Sequence, residues 1–286
     1  MQWEKAKNLM LVFLLLANLL LAALIRYEND SHTLSREREN AILTVFYQNN
    51  INMYREIPRN FAPMRALQVS AYDYNMDRLL GIFFPSYAEI THNSSTDWDE
   101  FTWDSRRLVI SNGYIAFSSG RGVTGVPDRD AAIAITQNFI REHYPDFRLD
   151  VQSTRYARRG GLRIFYRQEY QGHLIHTNFV EFLVTGEGDM PVIEEVDIQY
   201  GRPLGFAYLP RELAGPDEAL LTFVQNIRRR YEPVLITHMD IVYFQMTPGR
   251  RDTYTTFYAE PFYRIFIEGQ DDPFLINAYT NRMLGV

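Results

Sequence analysis

Residues 8–25 form an uncharged run, mostly Leu, Ala, Val, Phe and Met. Coiled as a helix at about 1.5 Å per residue, the run is roughly 27 Å long, close to the ~30 Å hydrocarbon core of a bilayer. Lys5 and Lys7 stand before it; Arg26, Glu28 and Asp30 stand after it. That asymmetry predicts a short cytoplasmic N-terminus (1–7), a transmembrane helix (8–25) and an extracytoplasmic remainder, a single-pass protein of the cell membrane. Trp3 and Tyr27 sit where interfacial aromatics belong. The competing reading is a cleaved signal peptide. Its basic start fits, but the apolar run is longer than the usual h-region and no small-x-small cleavage site with a helix breaker follows.

Within the run, Leu11, Leu14, Leu15, Asn18, Ala22 and Ile25 follow the i, i+3, i+4, i+7 spacing of one helix face. A polar amide beside a small residue is how membrane helices find one another. Lipid offers Asn18 no partner, whereas a neighbouring helix does. This face is the candidate partner-binding site.

A chain of 286 residues suits such an anchor plus two or three modules of roughly 100 residues. The absence of cysteine rules out disulfides, thiolate nucleophiles and Cys-ligated metals. A pI near 5.6 argues against nucleic acid as a partner, since phosphate binding needs a basic surface. The 19 Tyr and 19 Phe favour sheet-rich modules.

Three modules follow from the punctuation. Residues 31–50 read as a helix whose 36–39 charge run is a solvated face, with Pro58 and Pro63 beyond it. Apolar runs at 66–71, 79–84, 101–103, 107–111 and 114–118 read as strands, and Asn112-Gly113 as a two-residue hairpin turn. Together they make an N-terminal α+β module at 31–119, closed by the glycine-rich linker 120–125.

The second module, 127–205, opens on Pro127-Asp128, an acid suited to capping a helix. Ala131, Ala132, Ile135, Phe139 and Ile140 form the helix's apolar face; Pro145 stops it, and strands are expected at 149–156, 162–170, 173–185 and 193–200. The third module, 212–286, repeats this grammar from Pro216-Asp217, with strands at 234–246, 254–258, 262–268 and 274–277. The fold class is therefore α+β: a transmembrane helix followed by tandem helix-on-antiparallel-sheet modules.

A short basic start, a single anchor, a charged juxtamembrane helix and two Pro-Asp-led helix–sheet units resemble the YycI family. The most telling stretches are Phe262-Tyr263-Arg264-Ile265 and Pro273-Phe274-Leu275-Ile276-Asn277-Ala278. The resemblance implies PepSY-like modules and a non-enzymatic regulator, without cofactor, of a two-component sensor histidine kinase in Gram-positive bacteria. It implies contact with the kinase through the membrane helix and the outer domain, alongside a related YycH-type anchored protein.

Other constellations weigh less. His173 and His176 would point to opposite faces of a strand and make poor metal ligands. Glu194, Glu195 and Asp197 offer paired carboxylates for an envelope hydrolase, but a charged, solvated strand explains them as well. Asp97, Asp99, Glu100 and Asp104, interleaved with Trp98, Phe101 and Trp103, suggest either a sugar platform or a loop entering an amphipathic strand. Arg228-Arg229-Arg230 would complement a helix C-terminus. In the 262–268 strand Tyr263 is expected in the core and Arg264 at the surface. No catalytic, cofactor or metal motif is present. A passive peptide- or ligand-binding module remains the third reading.

Overall fold

Two helix-led meanders share one sheet, and the residues before them are divided between the two. The computed structural model describes residues 2–71, 75–86, 88–111, 113–122, 124–158, 160–187, 190–227, 232–246 and 256–285. The N-terminal part holds α1 (Gln2–Ser31), α2 (Arg36–Gln48), β1 (Ile51–Met53), β2 (Leu67–Ala71), α3 (Met76–Phe83), β3 (Thr91–Ser94), β4 (Asp99–Trp103), β5 (Arg106–Ser111) and β6 (Tyr114–Ser118). The second unit holds α4 (Arg129–His143), β7 (Phe147–Leu149), β8 (Arg155–Tyr156), β9 (Leu162–Tyr170), β10 (His173–Glu187), β11 (Met190–Gln199) and β12 (Gly201–Phe206). The third holds α5 (Pro216–Asn226), β13 (Val234–Gln245), β14 (Thr256–Ile267), β15 (Phe274–Asn277) and β16 (Arg282–Met283).

Each helix-led unit is a helix followed by an antiparallel meander: β9, β10 and β11 after α4, and β13, β14, β15 and β16 after α5. The two meanders join where β10 runs parallel to β13, at Ile175 opposite Tyr243. The sheet order is β12-β2-β14-β13-β10-β11-β6-β5-β4-β3, so β12, which follows β11 directly in the chain, lies at one end of it, beside β2. Leu67 and Val69 of β2, Ile175 of β10, Tyr243 of β13 and Ala259 of β14 form a small core on these strands. Gly201 opens β12 beside β2, where an added Cβ would come 2.6 Å from Val69 Cγ1.

The segment read as one N-terminal module, 31–119, is distributed over two cores. Helix α2 and β1 pack with α5, β13 and β14. Helix α3 and the β4–β6 meander pack with α4 and β9–β11. The reason is edge pairing: β6 extends β11, while β2 fits between β12 and β14.

Three strand expectations change. Residues 76–83 are helical because the Asn75 side chain caps the Arg78 N–H at 3.0 Å and Leu79 and Phe83, four apart, bury one face. The 149–156 strand is broken into β7 and β8, which leaves a turn at 150–154. Residues 256–267 are one strand in spite of Pro261, which lies where β14 hands over from β2, ending at Ala259, to β15, starting at Phe262. The expected turn at 247–250 and the start of the 254–258 strand lie outside the described residues, as does Asn112 of the hairpin turn.

Candidate functional site

Helix α1 contains a span, Ala6–Leu24, with mean hydropathy 2.1 and no buried residue; it is long and apolar enough to cross a membrane. Leu11, Leu14, Leu15, Asn18 and Ala22 are all exposed on it, while the Ile25 side chain lies outside the described residues. Asn18 Nδ2 donates to Leu14 O at 3.0 Å, so the helix itself supplies one partner that lipid does not. The amide keeps further donor and acceptor capacity for a neighbouring helix.

Past α1 the chain crosses to the third unit. Ser35 Oγ accepts from Arg38 N and opens α2. Arg38 then grips the start of α5: Nε and Nη2 reach the two Asp217 oxygens at 2.8 and 2.7 Å, and Nη2 also reaches Glu218 at 3.1 Å. This forked geometry suits a guanidinium and no other side chain. Gly215 makes room for it, since a Cβ there would fall 2.5 Å from Arg38 Nη2. The expected Asp cap is realised at Asp128, whose carboxylate accepts from Asp130 N and Ala131 N, but not at Asp217. Helix α5 is capped by the Gly215 backbone with no side-chain bond.

The second and third units meet at a buried ionic cluster. Arg264, 1% exposed, is correctly placed in a core and not at the surface as its strand position suggested. The face opposite Tyr263 is covered here by the 150–154 turn and β10. Arg264 donates two bonds to Asp240, at 2.8 and 2.6 Å, and one to Asp150 at 2.7 Å; its Nη1 lies 3.4 Å from His176 Nδ1. Asp150 also accepts from Ser153 Oγ at 2.8 Å and from Arg167 Nε at 3.3 Å. Arg167 binds the His176 carbonyl. Burial alone would raise Asp150, but Arg264 and Arg167 outweigh it and hold the carboxyl below its ordinary value; Asp240 is held down in the same way by Arg264 and His238. Burial lowers Arg167 to about 10, since Asp150 only partly offsets it. His176 is pushed well below 6.5 by burial and by the two guanidinium groups. Two cations, two anions and a neutral imidazole balance one another, which makes a joint more readily than a reactive centre.

The remaining candidates are dispersed or spent. His173 and His176 do part company, through an irregularity in β10 between Ile175 and Phe179. Glu194 accepts from Ser119 Oγ at 2.8 Å and from Gly122 N at 3.1 Å; Glu195 is 3.5 Å from Arg163, which also binds Glu181. Asp197 is raised by burial and hydrogen-bonds Tyr114. Asp99 pairs with His92, Glu100 with Arg107, Phe101 is buried, and Asp104 sits at a positive-φ turn, so the acids around Trp98 form no platform. Arg228, Arg229 and Arg230 lie outside the described residues; α5 ends at Asn226. Among the described residues no three His, Asp or Glu gather as a metal site. A cleft of about 260 Å³ at the C-terminal end of α4, lined by Arg78, His143, Tyr144, Phe147 and Tyr200, is small beside ordinary ligand pockets of ~300–1,000 Å³.

The sequence clues for the clasp and the cluster were thin. Arg38 sat in a charge run, Asp150 lay among the polar residues Arg148, Gln152 and Ser153, and Asp240 was a single acid in an otherwise apolar stretch. A lone charge inside an apolar strand, such as Arg264, was the one available signal for a buried pair.

No family model matches the chain, and no curated protein does. Among solved structures, an uncharacterized protein from Eubacterium rectale ATCC 33656 is similar at a TM-score of 0.50 and 9% identity, over 82% of this chain and 89% of that one. At that identity the likeness is one of fold.

Proposed function

We propose that the chain is a membrane-anchored, extracytoplasmic regulator that modulates a two-component sensor histidine kinase without catalysis, in the manner of YycI proteins, with its helix-led units of the PepSY-like kind. The observation that carries this reading is the direct connection between anchor and outer body. Helix α1 leads through two residues, His32 and Thr33, into Leu34, which is buried, and on into α2, which Arg38 fastens to α5. A shift of the membrane helix is thereby delivered to the third unit. Contacts made in the bilayer and outside it bias the kinase only if they favour one of its states over the other. A YycH-type protein is the expected companion. The hydrolase reading fares worse, because the acids on β11 are engaged by Arg163, Ser119, Gly122 and Tyr114.

Co-purification of the kinase with the full chain, and its loss on removal of residues 1–26, tests the proposal. Asn18→Leu should leave insertion intact and weaken association about 3- to 30-fold, and Ala22→Leu should weaken it by bulk, with Ala23→Leu as the control. Equal association for all variants would reduce the anchor to a tether.

A further inference from the structure

After β12 the chain forms a three-residue tip, Tyr208-Leu209-Pro210, pinned at both ends. Ala207 N donates to Ala66 O at 2.7 Å, and Arg211 and Met64 exchange backbone hydrogen bonds at 2.8 and 3.0 Å. Tyr208 is 96% exposed, more than any other large hydrophobic side chain among the described residues, and Leu209 is 73% exposed. A pinned tip that holds a Tyr and a Leu in water forgoes the apolar burial that such side chains ordinarily gain.

Its position in the fold explains the exposure. His32 is the first residue after α1; its carbonyl accepts from Phe61 N at 3.0 Å, and Thr33 bridges Asn60 in antiparallel sense. Residues 59–61 therefore run back toward the anchor while 32–34 run away from it. Residues 62–66, which come next, carry the backbone groups that pin the tip. A second contact marks the same end of the molecule: His32 Nδ1 lies 3.5 Å from Glu212, two residues past Pro210. His32 stands seven residues beyond Ile25, about 10 Å along a helix axis. The headgroup layer is roughly 5–8 Å thick on each side of the hydrocarbon. From Glu212 back to Leu209 the chain spans at most about 10 Å, enough to return to that layer.

We propose that Tyr208-Leu209-Pro210 is an interfacial wedge resting in the headgroup layer of the bilayer that α1 crosses. The inference rests on the reading of α1 as a membrane anchor. Tyrosine suits that layer, with its ring among acyl chains and its hydroxyl in water. Arg211, stacked on Tyr279 at 4.0 Å and 3.6 Å from Glu260, still has more than half of its side chain exposed beside the tip, as a cation bordering that layer would. The wedge gives the outer body a second foothold and so fixes its tilt on the membrane.

The chain has no cysteine, so one introduced thiol carries one dye. Leu15→Cys, Leu209→Cys and Met190→Cys variants of the full chain, each labelled with an environment-sensitive fluorophore, are placed in phosphatidylcholine–phosphatidylglycerol vesicles with and without doxyl-labelled lipid. Met190 is as exposed as Leu209, at 75%, and controls for the affinity of the dye for lipid. The inference expects a blue shift and loss of emission to doxyl lipid at positions 15 and 209, with neither at 190. Quenching at 15 with a water-exposed dye at 209 overturns the wedge and leaves the anchor standing. A blue shift at 209 without quenching also overturns it, since the tip is then covered by protein. No quenching at 15 overturns the anchor and the wedge together.

Discussion

Helices α4 and α5 open on the same dipeptide, Pro-Asp, and use the acid differently. Asp128 turns inward on its own helix and satisfies two orphan N–H groups. Asp217 turns outward and holds Arg38 of α2, while α5 opens on a glycine whose missing side chain admits the guanidinium. One unit is closed upon itself; the other is built to receive a visitor from the anchor side. A helix-opening acid near the dipole's positive end is favourable in both roles, so sequence alone leaves the two indistinguishable.

Removing the joint between the two units should have the largest effect. Arg264→Ala takes the guanidinium from the part-buried Asp240 and leaves the buried Asp150 with only Arg167 and Ser153, and should cost about 3 kcal/mol of stability in denaturant unfolding; a loss below 1 kcal/mol would mean that the units stand independently. The same joint sets the acid response. His176 is depressed in the folded protein, so below pH 6.5 the unfolded chain binds more protons and stability falls with acidity. Asp150 and Asp240 are also depressed, and their contribution is present above pH ~4 and lost as pH falls through their folded values. Thermal melts against pH should thus decline in two stages, and His176→Gln should shrink the first. A residual slope from His143 and His173, both lowered by burial, should survive.

The clasp is partly open to water, with the Arg38 side chain 38% exposed, so Arg38→Ala should cost less, about 1–2 kcal/mol. Its signature is spatial: hydrogen exchange should quicken in α2 and leave the second unit untouched. Asp128→Ala should cost about 1 kcal/mol and fray α4 alone. If Asp128→Ala loosened α2, or Arg38→Ala loosened α4, the contrast between the helices would collapse.

Much of the second unit was legible. Helix α4 and strands β9 to β11 lie where periodicity and glycine turns put them, because local pattern and packing agree there. Legibility failed where partners come from far along the chain. The run Leu79-Leu80-Gly81-Ile82-Phe83 is too short for periodicity to separate strand from helix, and its Asn75 cap decided the matter. Strand β12 carries Pro203 and two glycines and forms only because β2 lies beside it. Of the candidate sites, the long apolar helix that carries Leu11, Leu14, Leu15, Asn18 and Ala22 was readable from hydropathy. The burial of Arg264 was not, since Asp150 is supplied by another unit.

The placement of β2 also bears on how such a protein comes to be made. Ser70 hydrogen-bonds between a strand that ends at Phe206 and one that begins at Thr256. A chain made from its N-terminus presents Leu67 and Val69 long before either neighbouring strand is made. Until then that strip is an unpaired, sticky edge, at risk of pairing with another chain. Pairing of β2 on both edges must await β14, so folding should be slow and cooperative, and truncations before Thr256 should leave that strip unpaired even when every residue of α1 is intact.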